Sequence, residues 1–390
     1  MMSPGSLTNT LPNVSAARSV ATSATRLKTR VLSVDDIRII TSHVGLNALM
    51  DEMISRLRVA FTQFDPEQTV VPVRTGLNYE QPHVGLVEWM PLLQKHRQIV
   101  VKAVGYHPHN PRVNELPTVL STLSAYDPTS GHLSALMDGT FLTALRTGAA
   151  SAIAAQHLAY PQSKTLGLIG VGAQAVTQLH ALSRCFEIEQ VLIFDREAPV
   201  AASFATRAAS LQLQGMQIRQ ASVAEIVAKS DIVCTATSVE VGAGPVFADA
   251  EMKPWLHVNA VGADFPGKVE VPLSLLKLSF VCPDFRAQAI AEGECQQFAN
   301  HDAIDEDAIN DDAINDAIGP ELFEVVKHPE RYKQQQQQLS VFDSTGFALE
   351  DQVAMNMMLD YAESLDVGSW LSLESAAADV KNPYSFVVGG

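Results

Sequence analysis

"TLGLIGVGAQAVTQLHAL", residues 165–182, passes from an apolar run through two glycines one residue apart into a stretch with helical spacing. Gly170-Val171-Gly172-Ala173-Gln174-Ala175 forms a G-x-G-x-x-A turn. The first glycine permits a tight strand-to-helix turn, the second lets the backbone approach a pyrophosphate, and a small third residue lets helix and strand pack closely. Such a turn alone is a weak signal. Here it follows an apolar strand and precedes Val176, Leu179, Leu182 and Phe186 at helical spacing, and Asp195 ends the next apolar run. An acid there can accept the ribose hydroxyls of NAD and would repel the 2′-phosphate of NADP, with the neighbouring Arg196 pulling the other way. The stretch therefore predicts an NAD site at Gly170, Gly172, Ala173, Gln174, Asp195 and Arg196.

Outward from the turn, an Ala-rich helix starts at Leu142, and strand candidates then alternate with helical patterns: "QVLIFD", "DIVCTAT", "LHVNAVG", "LSFVCPD" and "LSVFDST". Strands spaced by helices imply a parallel sheet covered on both faces. The expected fold class is α/β, a Rossmann-type doubly wound domain over residues 146–345 plus an α+β domain. The α+β domain takes residues 31–145, with Ser33, Asp35 and Asp36 capping a helix that continues through "DDIRIITSHVGLNALMDEMISRLRVAFTQF". "VVPVRTGLNY", "VGLVEWMPLL" and "QIVVKAVGY" follow as β-like runs, and a hairpin turns at Asp127–Gly131. Residues 346–390, with the helical "ALEDQVAMNMMLDYAESL", return to that domain. "DAI" recurs four times between 302 and 318 and five glutamines follow at 334–338, which reads as an acidic low-complexity insertion near 300–338. Residues 1–30 hold no acid and many Ser, Thr and Ala, the composition of a disordered tail and also of an organelle transit peptide.

The chain has 390 residues, 47% of them hydrophobic and 18% charged, with a net charge of −16. That balance argues against nucleic acid as a partner, because phosphate binding needs clustered Lys and Arg. No apolar run reaches the ~18 residues of a membrane span. Cys185, Cys234, Cys282 and Cys295 form no regular framework and read as reduced thiols of a cytoplasmic protein.

"HVNAVGADFPGK" carries an apolar strand to Gly262 and delivers Asp264 just past it. Ligands of open α/β sheets bind outside the carboxyl ends of strands, where such an acid can move protons to and from an amine. A loop Asp capping the turn before Pro266 is the equal alternative. Arg74, Glu88, Lys102 and Arg146 are lone charges in apolar surroundings. They suit the carboxylate and amine of an amino acid, though the residues alone slightly favour buried structural ion pairs. His107 and His109 lack further donors at ligand spacing, so no metal is assigned.

In order along the chain, "GLVEWMP", "VKAVGYHPHNP", "LMDGTFLTALRTGAASA", "LGLIGVGAQAVTQLHAL", "VNAVGADFPGK", "EGECQQ" and "VFDSTGFALED" resemble the ornithine cyclodeaminase/μ-crystallin family. The resemblance implies a homodimer, with the first domain serving substrate binding and dimerisation. It also implies that Arg74, Lys102 and Arg146 hold the substrate carboxylate, that Glu88 and Thr118 belong to the substrate site, and that Asp264 is the catalytic acid/base. The implied reaction is cyclodeamination of a small-molecule amino acid, ornithine to proline or lysine to pipecolate, with NAD oxidising the α-carbon transiently. "GLVEWMP", "YHPHNP", "TATSVEVGAGPV" and "EGECQQ" look closest to members acting on lysine. The alternatives are a ketimine reductase or amino-acid dehydrogenase of the same fold, and a crystallin-like binding protein without turnover.

Overall fold

The computed structural model describes residues 27–213, 215–302, 316–377 and 379–388. The stretch around the glycine turn forms the centre of a seven-stranded sheet built from β8 (Thr165–Ile169), β9 (Gln190–Phe194), β10 (Gln217–Gln220), β11 (Ile232–Thr235), β12 (His257–Ala260), β13 (Phe280–Pro283) and β14 (Ser340–Asp343). Its order is β10-β9-β8-β11-β12-β14-β13, and every pair is parallel. Residues in β11, β12 and β14 are buried throughout, as parallel strands covered on both faces must be. The order reverses between β8 and β11, which opens a crevice at their carboxyl ends. This is the α/β doubly wound class that the alternating pattern predicts.

An eight-stranded sheet precedes it: β1 (Thr29–Leu32), β2 (Thr69–Val70), β3 (Thr75–Tyr79), β4 (Gly85–Gln94), β5 (Gln98–Tyr106), β6 (Val119–Tyr126) and β7 (Leu133–Asp138), joined by β15 (Ser369–Leu371). β15 pairs antiparallel with β1, and the helix Ala348–Ser364 packs on β4 and β5, so the end of the chain lies on the sheet that the beginning builds. β6 and β7 form the predicted hairpin, with Asp127 accepting from Thr129 and Ser130 in its turn.

Four local expectations change. The long first helix is two, Val34–Val44 and Leu46–Gln63, because Gly45 sits at φ +85, a left-handed conformation that ends the first and opens the second. Ser33 caps the first with the Asp36 capping box that the acids suggest. "VVPVRTGLNY" holds β2 and β3 with a break at residues 71–74, which sends Arg74 toward the other sheet instead of along its own. β1 starts at Thr29, inside the expected tail, because it pairs with β7 on one side and with β15 on the other, which satisfies its backbone on both edges; residues 1–26 of the tail lie outside the described residues. The glutamine run is a folded 3-10 turn, Lys333–Gln337, not part of a loop insertion. The preceding helix Leu322–Lys327 buries Leu322, Phe323, Val325 and Val326, and Gln336 bonds the carbonyl of Gln156, so this segment is packed on the core. The first three DAI repeats lie mostly outside the described residues.

Among the described residues no helix is long and apolar enough to cross a membrane. Cys234, Cys282 and Cys295 are buried and all four cysteines are free; burial pushes the Cys234 thiol up to about 12.

Candidate active site

The turn after β8 shows why two glycines are needed. Gly170 has φ +81, and a Cβ there would stand 2.7 Å from the carbonyl of Ala236, so the turn itself demands glycine. At Gly172 a Cβ would meet nothing within 4 Å. This second glycine therefore faces open space at the start of the helix Ala173–Cys185, whose first turn receives no side-chain cap. Unsatisfied amides at a helix N-terminus form a site for an anion. Ala173 is exposed in that first turn, while Ala175 is buried and lets the helix sit against the sheet. One oxygen of Asp195 accepts from the amide of Val171 at 2.9 Å and the other from the amide of Glu197 at 2.9 Å, so the carboxylate also braces the turn. Arg196 lies exposed beside it. Sequence reasoning missed Arg207, which donates to the carbonyls of Val171 (2.6 Å) and Val200 (2.9 Å) and ties the turn to the following helix. A lone arginine late in an ordinary helix carries no signal of that role.

The lone charges meet in one cleft between the two sheets. Alternation along β4 and β5 puts Leu86, Glu88 and Met90 opposite Tyr106, Val104 and Lys102, and all six line the cleft. The helix Thr140–Leu158 adds Thr143, Arg146 and Thr147, and the crevice of the parallel sheet adds Gln174, Val261, Asp264 and Ser344–Gly346. Gln174 therefore joins the glycine turn to the cluster of charges. Thr118 does not line the cleft; its neighbour Val119 does, and the carbonyl of Thr118 accepts from the amide of His107.

Each cation is met by acids of the chain itself. Arg74 donates to the carbonyls of Thr345 and Asp264 at 3.1 Å, pairs with Glu292, and has Nε 3.4 Å from Glu88, so it staples the first sheet to the second. Lys102, 1% exposed, places Nζ 2.8 Å from Asp351. Arg146 pairs through Nη1 with Glu350 at 2.9 Å and through Nε with Asp351 at 3.1 Å. Burial, followed by the charge of Arg146, pulls Lys102 down to about 8, while Asp351 opposes. Burial raises the pKa of Glu88, against the pull of Arg74. The sequence offered no sign of Glu292, Glu350 or Asp351, because all three sit in helices where acids ordinarily face water.

Asp264 stands just beyond β12 with Oδ1 2.8 Å from Nζ of Lys268, four residues on. That ammonium also lies 3.3 Å from the Tyr106 hydroxyl and over its ring. Burial works against the charge of Lys268, but Asp264 and then Tyr106 outweigh it and hold the ammonium above its ordinary pKa. Beneath, the buried Glu270 accepts from the amides of Thr237 (2.6 Å) and Gly262 (2.7 Å), fixing the chain where it leaves β11 and β12. Ser344, at the end of β14, has a buried hydroxyl with no partner among the described residues. The site thus offers cations for a carboxylate, a salt-bridged carboxylate for proton transfer, and an open helix N-terminus for an anionic cofactor.

Comparison with known proteins identifies the family and the fold. The model of the ornithine cyclodeaminase/mu-crystallin family matches residues 35–366. The L-lysine cyclodeaminase of Streptomyces rapamycinicus is 41% identical over 360 residues, 92% of this chain and 100% of that protein. A solved lysine cyclodeaminase, described for its recognition of L-lysine, L-ornithine and L-2,4-diaminobutyric acid, superposes with a TM-score of 0.85 at 44% identity, covering 92% of this chain and 99% of that one. An archaeal alanine dehydrogenase dimer with bound NAD superposes with a TM-score of 0.76 at 28% identity, covering 89% and 100%.

Proposed function

The chain belongs to the ornithine cyclodeaminase/mu-crystallin family, and on that premise we propose that it is an NAD-dependent cyclising ammonia-lyase for an α,ω-diamino acid. L-Lysine, giving L-pipecolate and ammonia, is the first substrate, and L-ornithine, giving L-proline, the second. One methylene separates them, a difference of only about 1–3 kcal/mol in a pocket. The observation that carries this reading is the single cleft in which Arg74, Lys102, Arg146 and Asp264 meet Gln174 of the glycine turn.

The residues present fit NAD. The open face of Gly172 and the uncapped helix start suit a pyrophosphate, Asp195 suits a ribose, and the unpartnered Ser344 hydroxyl suits a polar group at the carboxyl end of β14. When bound, NAD supplies reversible two-electron oxidation at the substrate α-carbon. The protein's share is positioning and proton movement. Arg74, Lys102 and Arg146 hold the α-carboxylate, and Glu88 faces the α-amine. Asp264 takes a proton from the attacking ω-ammonium and delivers one to the departing ammonia, with Lys268 restoring its charge balance between the two transfers. Leu86, Met90, Val104, Val119 and Val261 form an apolar wall that keeps water from the oxidised α-carbon.

The test is to supply NAD with lysine and with ornithine separately, and to follow ammonia, cyclic product and NADH. Ammonia and cyclic imino acid are expected in equal amounts with no net NADH. NADH accumulating in step with ammonia would instead mark a dehydrogenase, and silence with both substrates would mark a binding protein.

We propose also that a second copy of the chain covers the first sheet. On the face turned from the cleft, register places Leu77, Val87, Gly105 and Leu120 in one row and Thr75, Trp89, Ala103 and Thr122 in the next. Leu77 is 65% exposed and Trp89 42%, an apolar area of the kind that marks an interface. The NAD-bound alanine dehydrogenase above is a dimer. Trp89→Glu is expected to convert a dimer into monomers by light scattering; an unchanged dimer would place the interface elsewhere.

A further inference from the structure

We propose that Glu350 carries a proton in the working enzyme, and that this proton keeps the buried cluster around Arg146 from being net negative when the cleft receives the substrate carboxylate. Charge count and bonding around Arg146 carry the inference, which rests on the substrate reading above. Two cations, Arg146 and Lys102, are surrounded by three carboxyl groups, Glu350 and Asp351 from the helix Ala348–Ser364 and Asp284 from the end of β13. Arg146 and all three acids are 4% exposed or less, so water screens none of them. Three ionised carboxylates would leave this buried cluster net negative, in a place that must accept another anion. Burying an unmatched charge is far costlier than burying a neutral acid.

The hydrogen bonds show which acid is neutral. Asp351 sits between both cations, with Oδ1 3.1 Å from Nε of Arg146 and Oδ2 2.8 Å from Nζ of Lys102. Asp284 accepts from the amides of Gly346 (2.6 Å) and Phe285 (2.7 Å) and from the hydroxyl of Thr345 (2.9 Å), three donors that stabilise a carboxylate. Asp351 and Glu350 each receive one hydrogen bond, from Arg146, and each has a buried oxygen without a second one among the described residues. Oδ2 of Asp351, however, has the Lys102 ammonium at 2.8 Å, whereas Oε1 of Glu350 has no cation paired with it. Glu350 is the acid least supported as an anion. The groups that face it agree: burial, with the charges of Asp284 and Asp351 adding to it and Arg146 opposing, brings its pKa up to about 8.

With Glu350 neutral, Arg146, Lys102, Asp351 and Asp284 sum to zero, so no net negative charge of this cluster opposes an incoming carboxylate. Loss of the proton adds a negative charge beside the guanidinium that holds the substrate. KM for the diamino acid should therefore rise on the alkaline side, through a midpoint near 8, more steeply than kcat falls.

Infrared difference spectroscopy of wild type against Glu350→Gln, in the full-length protein without substrate, tests the proton directly. The wild type is expected to show a protonated-carboxyl C=O band at pH 7 that is absent from E350Q and fades as pH passes about 8. No such band at pH 7 would overturn the proposal, whatever the substrate proves to be. Because Gln is isosteric with the protonated acid, E350Q should melt at the wild-type temperature at pH 7; a large fall, or failure to fold, would show that Arg146 needs an ionised partner and would also overturn it. In E350Q the alkaline rise in KM should be several-fold smaller than in wild type. An identical KM profile would assign that limb to Lys102 and count against Glu350. Absence of turnover in the wild type would instead defeat the lyase reading and leave the infrared result standing.

Discussion

Asp264→Asn is expected to lower kcat for ammonia release by about 10²–10⁴-fold, the usual share of a general acid/base, while NAD binding stays as in wild type. The carboxamide keeps the shape of the side chain but cannot take a proton from an ammonium. Asp264 is separate from the glycine turn, and its backbone carbonyl still accepts from Arg74 at 3.1 Å, so the staple between the sheets survives the change. The variant does deprive Lys268 of the largest of the charges that offset its burial, so the lysine's pKa falls from its raised value. NAD titration by fluorescence and an ammonia assay together check the prediction. Near-normal turnover would remove Asp264 from the proton path and leave it as a partner for Lys268.

The second large effect separates the two glycines of the turn. Gly172→Val should leave the fold intact, because φ −72 and ψ −157 are open to any residue and a Cβ there meets nothing within 4 Å. The added methyls occupy the space a pyrophosphate needs, and NAD affinity should fall by about 100-fold, the equivalent of ~2.8 kcal/mol. Gly170→Ala acts on the protein instead. Its Cβ would press on the Ala236 carbonyl in a left-handed conformation, a strain of about 1–3 kcal/mol. At about 2–4 °C per kcal/mol for a domain of this size, its melting temperature should drop measurably. Calorimetric NAD titration and thermal melts distinguish the two; a Gly172→Val protein that binds NAD normally would refute the cofactor site.

Much of the architecture is legible in the chain because it is written in local periods. Apolar runs of five or so residues separated by helical spacing give parallel strands, and the glycine turn marks the first of them. Lone charges in apolar stretches, Arg74, Glu88 and Lys102, flag themselves because an exposed face would not place them there. What stayed hidden is of two kinds. Gly45 looks like one tolerated glycine in a long helix, yet its conformation makes a break. The acids of "FALEDQ" stand in a stretch that reads simply as helical, and nothing local marks Glu350 and Asp351 as the buried residues they are.

The sequence by itself determined the α/β class, the glycine turn and the charged residues that must find partners, since strand and helix periods, turn chemistry and the cost of a lone buried charge all act within a few residues. The tertiary structure alone decided the partners. Arg146 meets Asp351 across 205 positions, and Arg74 meets Thr345 across 271. Such pairings have no local period, because they arise only when the packing of the returning helix and the edge of the second sheet exclude water from the space between them. That exclusion turns scattered charges into a single cleft beside the glycine turn.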